Sequence, residues 1–548
     1  GQECDLIIKG TLKVQIGNHV EVLHEGDAAY YDSGTPHGMI ATGGEDCLFY
    51  AIVLNPNGEP SSSFTHSGVR EFITLPLKNK PARRRVWEDF ISVKETETGE
   101  LADIKFKNED KFNFAFDVID KLGTERPDKL AILHLDRNKT ERRFTFGDLK
   151  KASAKASNYF RSMGIKRGDK VLLILNRHYQ FWIALIGLIK LGAIAIPAPN
   201  QLKEHDISYR IQSAGITTVI CTADGDVHKE VDAATAICPV INKIAVDAEF
   251  KIFSDEFERT SDSTCGNDLM MMYFTSGTSG NAKIAAHNCK YPLGHFHTAK
   301  YWHCVNPDGL HFTISDTGWA KAAWGKIYGQ WLCEAPIFVY DFDRFDADDI
   351  LPLFKKYGIT TFCAPPTMLR MMVKQDISKY DLSSIEHMTT AGEALNPEVF
   401  RQFEACTGLK IMEGFGQSET TCVIANLVGA KVKLGSMGKP VPVYNVELLS
   451  DDDKPVADGE VGEICINVKN GAPCGLFTGY YRDEEKTKES MHDGYYHTGD
   501  TAWRDEDGYF WYVGRKDDVI KSSGYRIGPF EIENVIMELP YVLECGVS

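Results

Sequence analysis

The chain has 548 residues, 43% hydrophobic and 25% charged, enough for several domains with real cores. Its formal net charge of −17 excludes a nucleic-acid or anionic-membrane surface as the main business. Fourteen cysteines, scattered from Cys4 to Cys545 without close CxxC pairs, point to a reducing cytoplasm and buried thiols rather than disulfides or a zinc knuckle.

Taken in chain order, residues 1–58 read as short β-strands at 5–8, 11–16, 19–23 and 47–54, broken by Gly-Asn, Glu-Gly-Asp and Gly-Gly turns. A Pro-Asn-Gly-Glu-Pro-Ser-Ser-Ser stretch and the basic patch 78–85 then mark an exposed connector, placed at 59–108. From 109 the texture alternates, with helices at 112–122 and 146–164 and strands at 170–175, 216–221 and 337–340. Repeated βα units of this kind predict an α/β class with a largely parallel, doubly wound sheet. The longest apolar run, 181–199, is interrupted by Lys190 and Gly192. It reads as a core helix (181–191) entering a strand (193–197), not as a membrane span. Near the end, 531–539 reads as a helix and 542–547 as a strand.

One segment concentrates chemistry. Tyr273-Phe-Thr-Ser-Gly-Thr-Ser-Gly-Asn-Ala-Lys283 packs two glycines, four Ser/Thr hydroxyls and a lysine into eleven residues. Glycines let backbone N–H groups approach phosphate oxygens, hydroxyls donate further bonds, and the lysine supplies charge, so the loop can wrap a polyphosphate. Gly277 and Gly280 are too close together for the common nucleotide-binding loop, and no Gly-Lys-Ser/Thr follows. The preceding Leu-Met-Met-Met-Tyr at 269–273 reads as a buried strand, so the loop leaves a sheet edge, where ligands sit.

Further motifs follow in order: Gly392-Glu-Ala394, Glu413-Gly-Phe-Gly-Gln-Ser-Glu-Thr420, Thr498-Gly-Asp500, and the run from Gly514 through Arg515 and Ser522-Ser-Gly-Tyr-Arg-Ile-Gly528. Together with the phosphate loop they resemble the acyl-adenylate-forming superfamily over residues 110–548. Thr313-Ile-Ser-Asp-Thr-Gly-Trp319 and Lys283-Ile-Ala-Ala-His287 are similar to its medium-chain acyl-CoA synthetase branch. Ala282 stands where a proline is usual, and Thr421 where a glycine is common.

The resemblance implies a large adenylate-forming domain of layered sheets and helices at 109–516 and the start of a small α/β domain at 517–548. It implies activation of a carboxylic acid by attack on the α-phosphorus of ATP, then transfer of the acyl group to coenzyme A. Such chemistry needs charge neutralisation and in-line positioning more than covalent help. By the same resemblance Thr275, Ser276, Gly277, Thr278, Ser279, Gly280 and Lys283 hold the β- and γ-phosphates, and Glu419 contacts Mg²⁺, a hard cation that prefers oxygen. Phe415 offers adenine a flat face, with Gly392, Glu393 and Ala394 opposite. Glu413, Gln417 and Ser418 belong to the same nucleotide site. Asp500 suits the ribose, since one carboxylate accepts from two hydroxyls; Arg515 closes over that sugar. Asp517 is the hinge between two catalytic conformations. Ser523 and Gly524 flank the pantetheine tunnel, and Arg526 contacts phosphate.

Acetate-specific relatives carry a tryptophan before the motif's glutamine, where this chain has Gly416. Replacing an indole by hydrogen opens space, each buried methylene contributing about 0.8 kcal/mol. A medium-chain, branched or aryl acid is therefore expected, in a pocket lined by Gly318, Trp319 and Gly416. His287 borders the pocket or serves as a structural histidine. The family's C-terminal lysine is absent, because the sequence stops at Ser548, 31 residues after Asp517, so a longer natural protein is expected at both ends. Residues 1–58, with Gly26-Asp-Ala-Ala-Tyr-Tyr-Asp-Ser-Gly-Thr-Pro-His37 and Glu3, resemble part of a cupin β-barrel, which implies a sensing or dimerising unit. Transfer to a carrier-protein thiol, or a ligand-sensing regulator built on a degenerate synthetase, stay open as alternatives.

Overall fold

A computed structural model describes residues 2–17, 19–32, 35–42, 46–54, 84–223, 225–245, 253–275, 282–393, 395–518, 520–522 and 525–527, with isolated positions beyond. For residue 2, for 52–54 and for 520–527 it describes the backbone alone. The chain divides into two compact units, Gly1–Arg84 and Arg85–Ser548.

The first unit holds two antiparallel three-stranded sheets. Gln2–Lys9 lies between Ala28–Asp32 and Leu48–Leu54, and Thr11–Ile16 lies between His19–Leu23 and His37–Thr42. Its core is small, built from Ile7, Leu12, Val14 and Leu23. Asp5 is buried and accepts from the Tyr31 hydroxyl at 2.8 Å.

The second unit begins earlier than its composition suggests. The connector expected at 59–108 is corrected from Arg85 onward, because Ile91–Glu95 and Leu101–Phe106 pair as an antiparallel hairpin. Val86, Ile91, Leu101 and Ile104 enter the main core, which is why this polar-looking stretch orders. Arg85 and Arg126 both face the buried Glu334 carboxylate, at 3.1 and 3.5 Å.

Two large mixed sheets stand in place of one doubly wound sheet. The seven-stranded sheet runs parallel through Asn242–Ala245, Thr218–Cys221, Lys170–Ile174, Ile194–Pro197 and Leu269–Thr275, then antiparallel through Lys283–Asn288 and Gly479–Tyr480. The nine-stranded sheet has a parallel centre of Leu130–Leu135, Ile337–Tyr340, His311–Thr313, Thr361–Cys363, His387–Thr390 and Ile411–Phe415. Its antiparallel edges are Glu141–Thr145 on one side, Ile424–Ala425 and Lys439–Pro440 on the other. A smaller sheet of Val446–Leu449, Gly462–Asn467, Tyr495–Arg504 and Phe510–Arg515 follows.

The helices pack as their sequences dictate. Gln180–Leu191 is apolar all round, so it is buried on every face, and Gly192 ends it at φ +79°. Phe146–Ser162 starts at a capping box in which Thr145 and Asp148 satisfy each other's backbone N–H groups. The two helices meet at Gly187, where a Cβ would stand 3.0 Å from the Ala156 methyl. Among the described residues no helix is long and apolar enough to cross a membrane.

Candidate active site

Leu269–Thr275 and Lys283–Asn288 form the hairpin that carries the phosphate-loop sequence, with Thr275 directly opposite Lys283. Ser276, Gly277, Thr278, Ser279 and Gly280 lie outside the described residues. The second strand also pairs with Gly479–Tyr480, which places the Tyr480 ring 5.1 Å from Lys283 Nζ. The Tyr480 hydroxyl donates to Glu419 Oε1 at 2.9 Å. Glu419 is buried, and burial pushes its carboxyl up, against the lowering effect of Tyr480 and Lys283. Among the described residues no cationic nitrogen lies within 4.0 Å of it. A buried carboxylate beside this hairpin, with no cation in contact among the described residues, fits as one oxygen ligand of a hard divalent cation.

Asp500 anchors a second cluster. It sits in Tyr495–Arg504, opposite Arg515 of the neighbouring strand. Its carboxylate accepts from the Tyr512 hydroxyl at 3.0 Å and from the Gln417 amide, and Arg515 Nη1 stands 3.3 Å away. Burial pushes the Asp500 carboxyl up while Arg515, Tyr512 and Gln417 pull it down. Gln417 is fixed from its other end by the Tyr496 hydroxyl at 2.7 Å. Gly499 adopts φ +73° and lies under the Arg515 guanidinium, 3.0 Å from where a Cβ would be, so only glycine serves in that turn. The Phe415 ring lies 6.3 Å from Tyr512, which brings the aromatic face and the Asp500 cluster together.

Between these clusters and the carboxyl ends of the nine-stranded sheet lies a cavity of about 920 Å³. Its walls are the segments that follow successive parallel strands, represented by Trp319, Trp324, Phe342, Phe345, Gly392 and Gly416. Ligands collect there because the strands end and the crossovers diverge. Gly392 has φ +100° and turns the backbone toward the cavity, while Glu393 is exposed and accepts from the Thr367 hydroxyl at 2.7 Å. Ala394 lies outside the described residues. Ser418 is tethered through its carbonyl, which accepts from His287 Nε2 at 2.7 Å. His287 is fully buried and held neutral at about 4, so it is a structural anchor for the motif loop.

Two expectations need correction. Gly416 lines the cavity but does not free an indole's worth of space. A Cβ there would stand 2.4 Å from Trp324 Cη2, so a different tryptophan fills that room. Gly414 likewise accommodates Trp302, whose Cε2 would be 2.7 Å from an added Cβ. Gly318 does not line the cavity. It packs under the backbone of 198–199, with Pro199 N 2.1 Å from a Cβ position. Trp319 does line the cavity, at its mouth, 56% exposed. Glu413 turns inward beneath the 391–396 turn and accepts the Leu395 N–H at 3.3 Å, with its carboxyl pushed up by burial to about 8.

Asp517 is exposed and directly follows Lys516, which is tied down. Lys516 Nζ donates to Glu463 Oε2 at 2.8 Å, and Glu463 Oε1 accepts the Gly499 N–H at 2.9 Å. Burial alone would raise Glu463, but His497, Lys516 and Gly499 together hold it at about 2, below its ordinary 4.5. Stability from a depressed carboxyl is present above pH 4.5 and is lost as pH falls toward 2. Glu463→Gln is therefore expected to cost about 2–3 kcal/mol at neutral pH, a difference that closes across that window. Chemical denaturation of both proteins from pH 7 to pH 3 checks it. Ser523 and Gly524 lie outside the described residues, and Arg526 is placed only as backbone of Tyr525–Ile527.

Sequence reasoning missed Tyr480, Tyr512, Trp324 and Glu463. None sits at a spacing that advertises its partner, since Tyr480 meets Glu419 across 61 residues and Tyr496 meets Gln417 across 79.

Comparison with known proteins agrees with this arrangement. The family model described as AMP-binding enzyme matches residues 119–481, and a cupin domain model matches 1–53. The rat mitochondrial acyl-coenzyme A synthetase ACSM3 is 38% identical over 462 residues, covering 81% of this chain and 79% of that protein. Among solved structures, the Brucella canis acyl-CoA synthetase superposes with a TM-score of 0.68 at 30% identity, covering 81% of this chain and 82% of that one. The anthranilate CoA ligase AuaEII, solved with anthranoyl-AMP, shares the fold with a TM-score of 0.73 at 23% identity, over 80% and 84% of the two chains. These matches lead to one conclusion: the chain belongs to the AMP-binding enzyme family, among its acyl-coenzyme A synthetases.

Proposed function

We propose that this protein activates a medium-chain, branched or aryl carboxylic acid and passes it to coenzyme A. The observation that carries the reading is the apolar wall of Trp319, Trp324, Phe342, Phe345, Pro365 and Met368 in the cavity beside Gln417 and Ser418, which gives an acyl chain or ring apolar cover next to the nucleotide residues. Acid seated there presents a carboxylate oxygen to the α-phosphorus of ATP. The new P–O bond forms as the bond to pyrophosphate breaks, giving acyl-AMP. The thiol of coenzyme A then attacks the acyl carbon, and AMP leaves with the electron pair of the C–O bond. Thr275 and Lys283, with the loop 276–280, hold the β- and γ-phosphates; Asp500 and Arg515 take the ribose; Phe415 and 392–394 flank adenine. Glu419 is the residue that would hold Mg²⁺, which when bound supplies positive charge to the phosphates.

The cytoplasm is the proposed location, on the strength of fourteen unpaired cysteines, although similar rat and human proteins are named as mitochondrial. The cupin unit is proposed to mediate self-association, which sedimentation of the chain with and without residues 1–84 would test. The function itself is tested by offering the natural-length protein ATP, Mg²⁺, coenzyme A and a mixture of short-chain, medium-chain and aryl acids. A dominant medium-chain, branched or aryl thioester by mass spectrometry is expected; exclusive use of acetate, or no thioester, would overturn it.

Trp324 is the wall residue that replaces the expected plug. Its indole is buried beside Gly416 and packs edge-on against Trp302, with ring centroids 6.0 Å apart. Trp324→Ala is expected to move the preferred acid two to three methylenes longer, improving kcat/KM for those acids roughly 15- to 60-fold at about 0.8 kcal/mol per buried methylene. A chain-length series on both proteins reads this directly.

A further inference from the structure

Arg177 lines the cavity where three of its walls meet. It follows Lys170–Ile174 of the seven-stranded sheet, whereas its partners follow His311–Thr313 and Ile337–Tyr340 of the nine-stranded sheet. Its Nη1 is 3.6 Å from Asp316 Oδ2 and its Nε is 4.0 Å from Asp341 Oδ1. Nη2 donates to the Phe342 carbonyl, and the guanidinium carbon sits 4.3 Å from the centroid of the Phe342 ring. Asp316 in turn uses Oδ1 to accept the Gly318 N–H at 2.8 Å, which sets the turn that presents Trp319 at the mouth.

The loop 341–345 stands between two spaces. Phe342, Asp343, Arg344 and Phe345 line the cavity on one face and a surface groove of about 610 Å³ on the other. Phe342 packs in the core beside Tyr340, ring centroids 5.4 Å apart, and Asp341 also bonds the His178 ring, so Arg177 shares the anchorage of this loop. Lys326 is a second buried cation nearby, donating to the Ser315 carbonyl at 2.7 Å, but burial pushes its ammonium down to about 7. The planar fork of Arg177 reaches several acceptors at once, which a single ammonium does not.

We propose that Arg177 is a positioning residue for acyl specificity: by cross-linking the turn 315–319 and the loop 341–345 across the ends of the two sheets, it fixes the width of the cavity and hence the length of acid admitted. This rests on the reading of the cavity as the acyl site. The test is equilibrium binding of adenosine 5′-(N-acylsulfamates), stable mimics of acyl-AMP, with straight chains of two to ten carbons, to the wild type, Arg177→Lys and Arg177→Met. The wild type is expected to show an optimum, with Kd at least about 10-fold weaker two methylenes beyond it, in line with what a closed apolar pocket discriminates. In Arg177→Met that ratio is expected to fall below about 3-fold, with Arg177→Lys between the two and the Kd for AMP within about 2-fold of wild type throughout. A uniform loss of affinity at every chain length, with the optimum unmoved, would mark a general structural role and overturn the proposal. If Arg177→Met fails to accumulate, Arg177→Lys, which keeps the balancing charge, decides by the same criterion. Should no acylsulfamate bind the wild type, the acyl-site reading falls and takes the proposal with it.

Discussion

Glu419→Gln is expected to form acyl-adenylate about 10²- to 10³-fold more slowly than wild type, while unfolding at the same temperature or higher. Loss of one group that stabilises developing charge commonly costs that much in rate. The substitution is conservative in shape, since the glutamine carbonyl can still accept from the Tyr480 hydroxyl that now donates to Glu419 Oε1 at 2.9 Å. What disappears is a buried negative charge. Burial holds the Glu419 carboxyl above its ordinary 4.5. The folded wild type therefore loses stability as pH rises through that window, where the unfolded chain ionises first. In the absence of nucleotide and Mg²⁺ the glutamine variant escapes this cost, so its Tm should equal or exceed the wild-type value at pH 7.5. Single-turnover pyrophosphate release measures the rate, and a Mg²⁺ titration at fixed ATP tests the cation. An unchanged rate in the variant would remove Glu419 from catalysis.

Asp500→Asn is expected to weaken AMP and ATP roughly 10- to 100-fold, the range of losing charge-assisted hydrogen bonds worth about 1.5–3 kcal/mol. Asp500 already accepts from Tyr512 and Gln417 and faces Arg515 at 3.3 Å. An amide in its place turns an N–H₂ group toward one of these donors and leaves Arg515 without its carboxylate. The loss should therefore appear in nucleotide affinity and in stability together, the latter by about 1–3 kcal/mol. Calorimetric titration with AMP, beside thermal melts with and without AMP, separates the two. A normal AMP affinity in a destabilised variant would reduce Asp500 to a structural role.

Much of the fold was legible because it is written locally. The helix at 181–191 is apolar on every face, and the structure has Gln180–Leu191, stopped at Gly192. The strand at 337–340 is Ile337–Tyr340, and the apolar run before the glycine-rich loop is the strand Leu269–Thr275. The order of the motifs was equally readable, since each is a short segment whose turn residues and charges reveal a backbone task. The hairpin Ile91–Phe106 was not, because its alternation is diluted by lysines, glutamates and a Thr-Gly turn, and only docking on the main core makes it a strand pair.

The sequence by itself determined most of the elements, the family and the chemical types gathered along the chain: a loop rich in glycine and hydroxyls that ends in a lysine, motif carboxylates, an aromatic face. Tertiary structure decided which of those groups meet and how much room they leave. That Gly416 faces Trp324 instead of empty space, that Glu413 points under the Leu395 turn, and that Arg177 reaches Asp316 and Phe342 across two sheets are facts of long-range packing. The physical reason is one of range. Backbone propensity, capping and hydrophobic periodicity act over a few residues and can be read in order, whereas a cavity's shape is set by side chains hundreds of residues apart that become neighbours only when the sheets close.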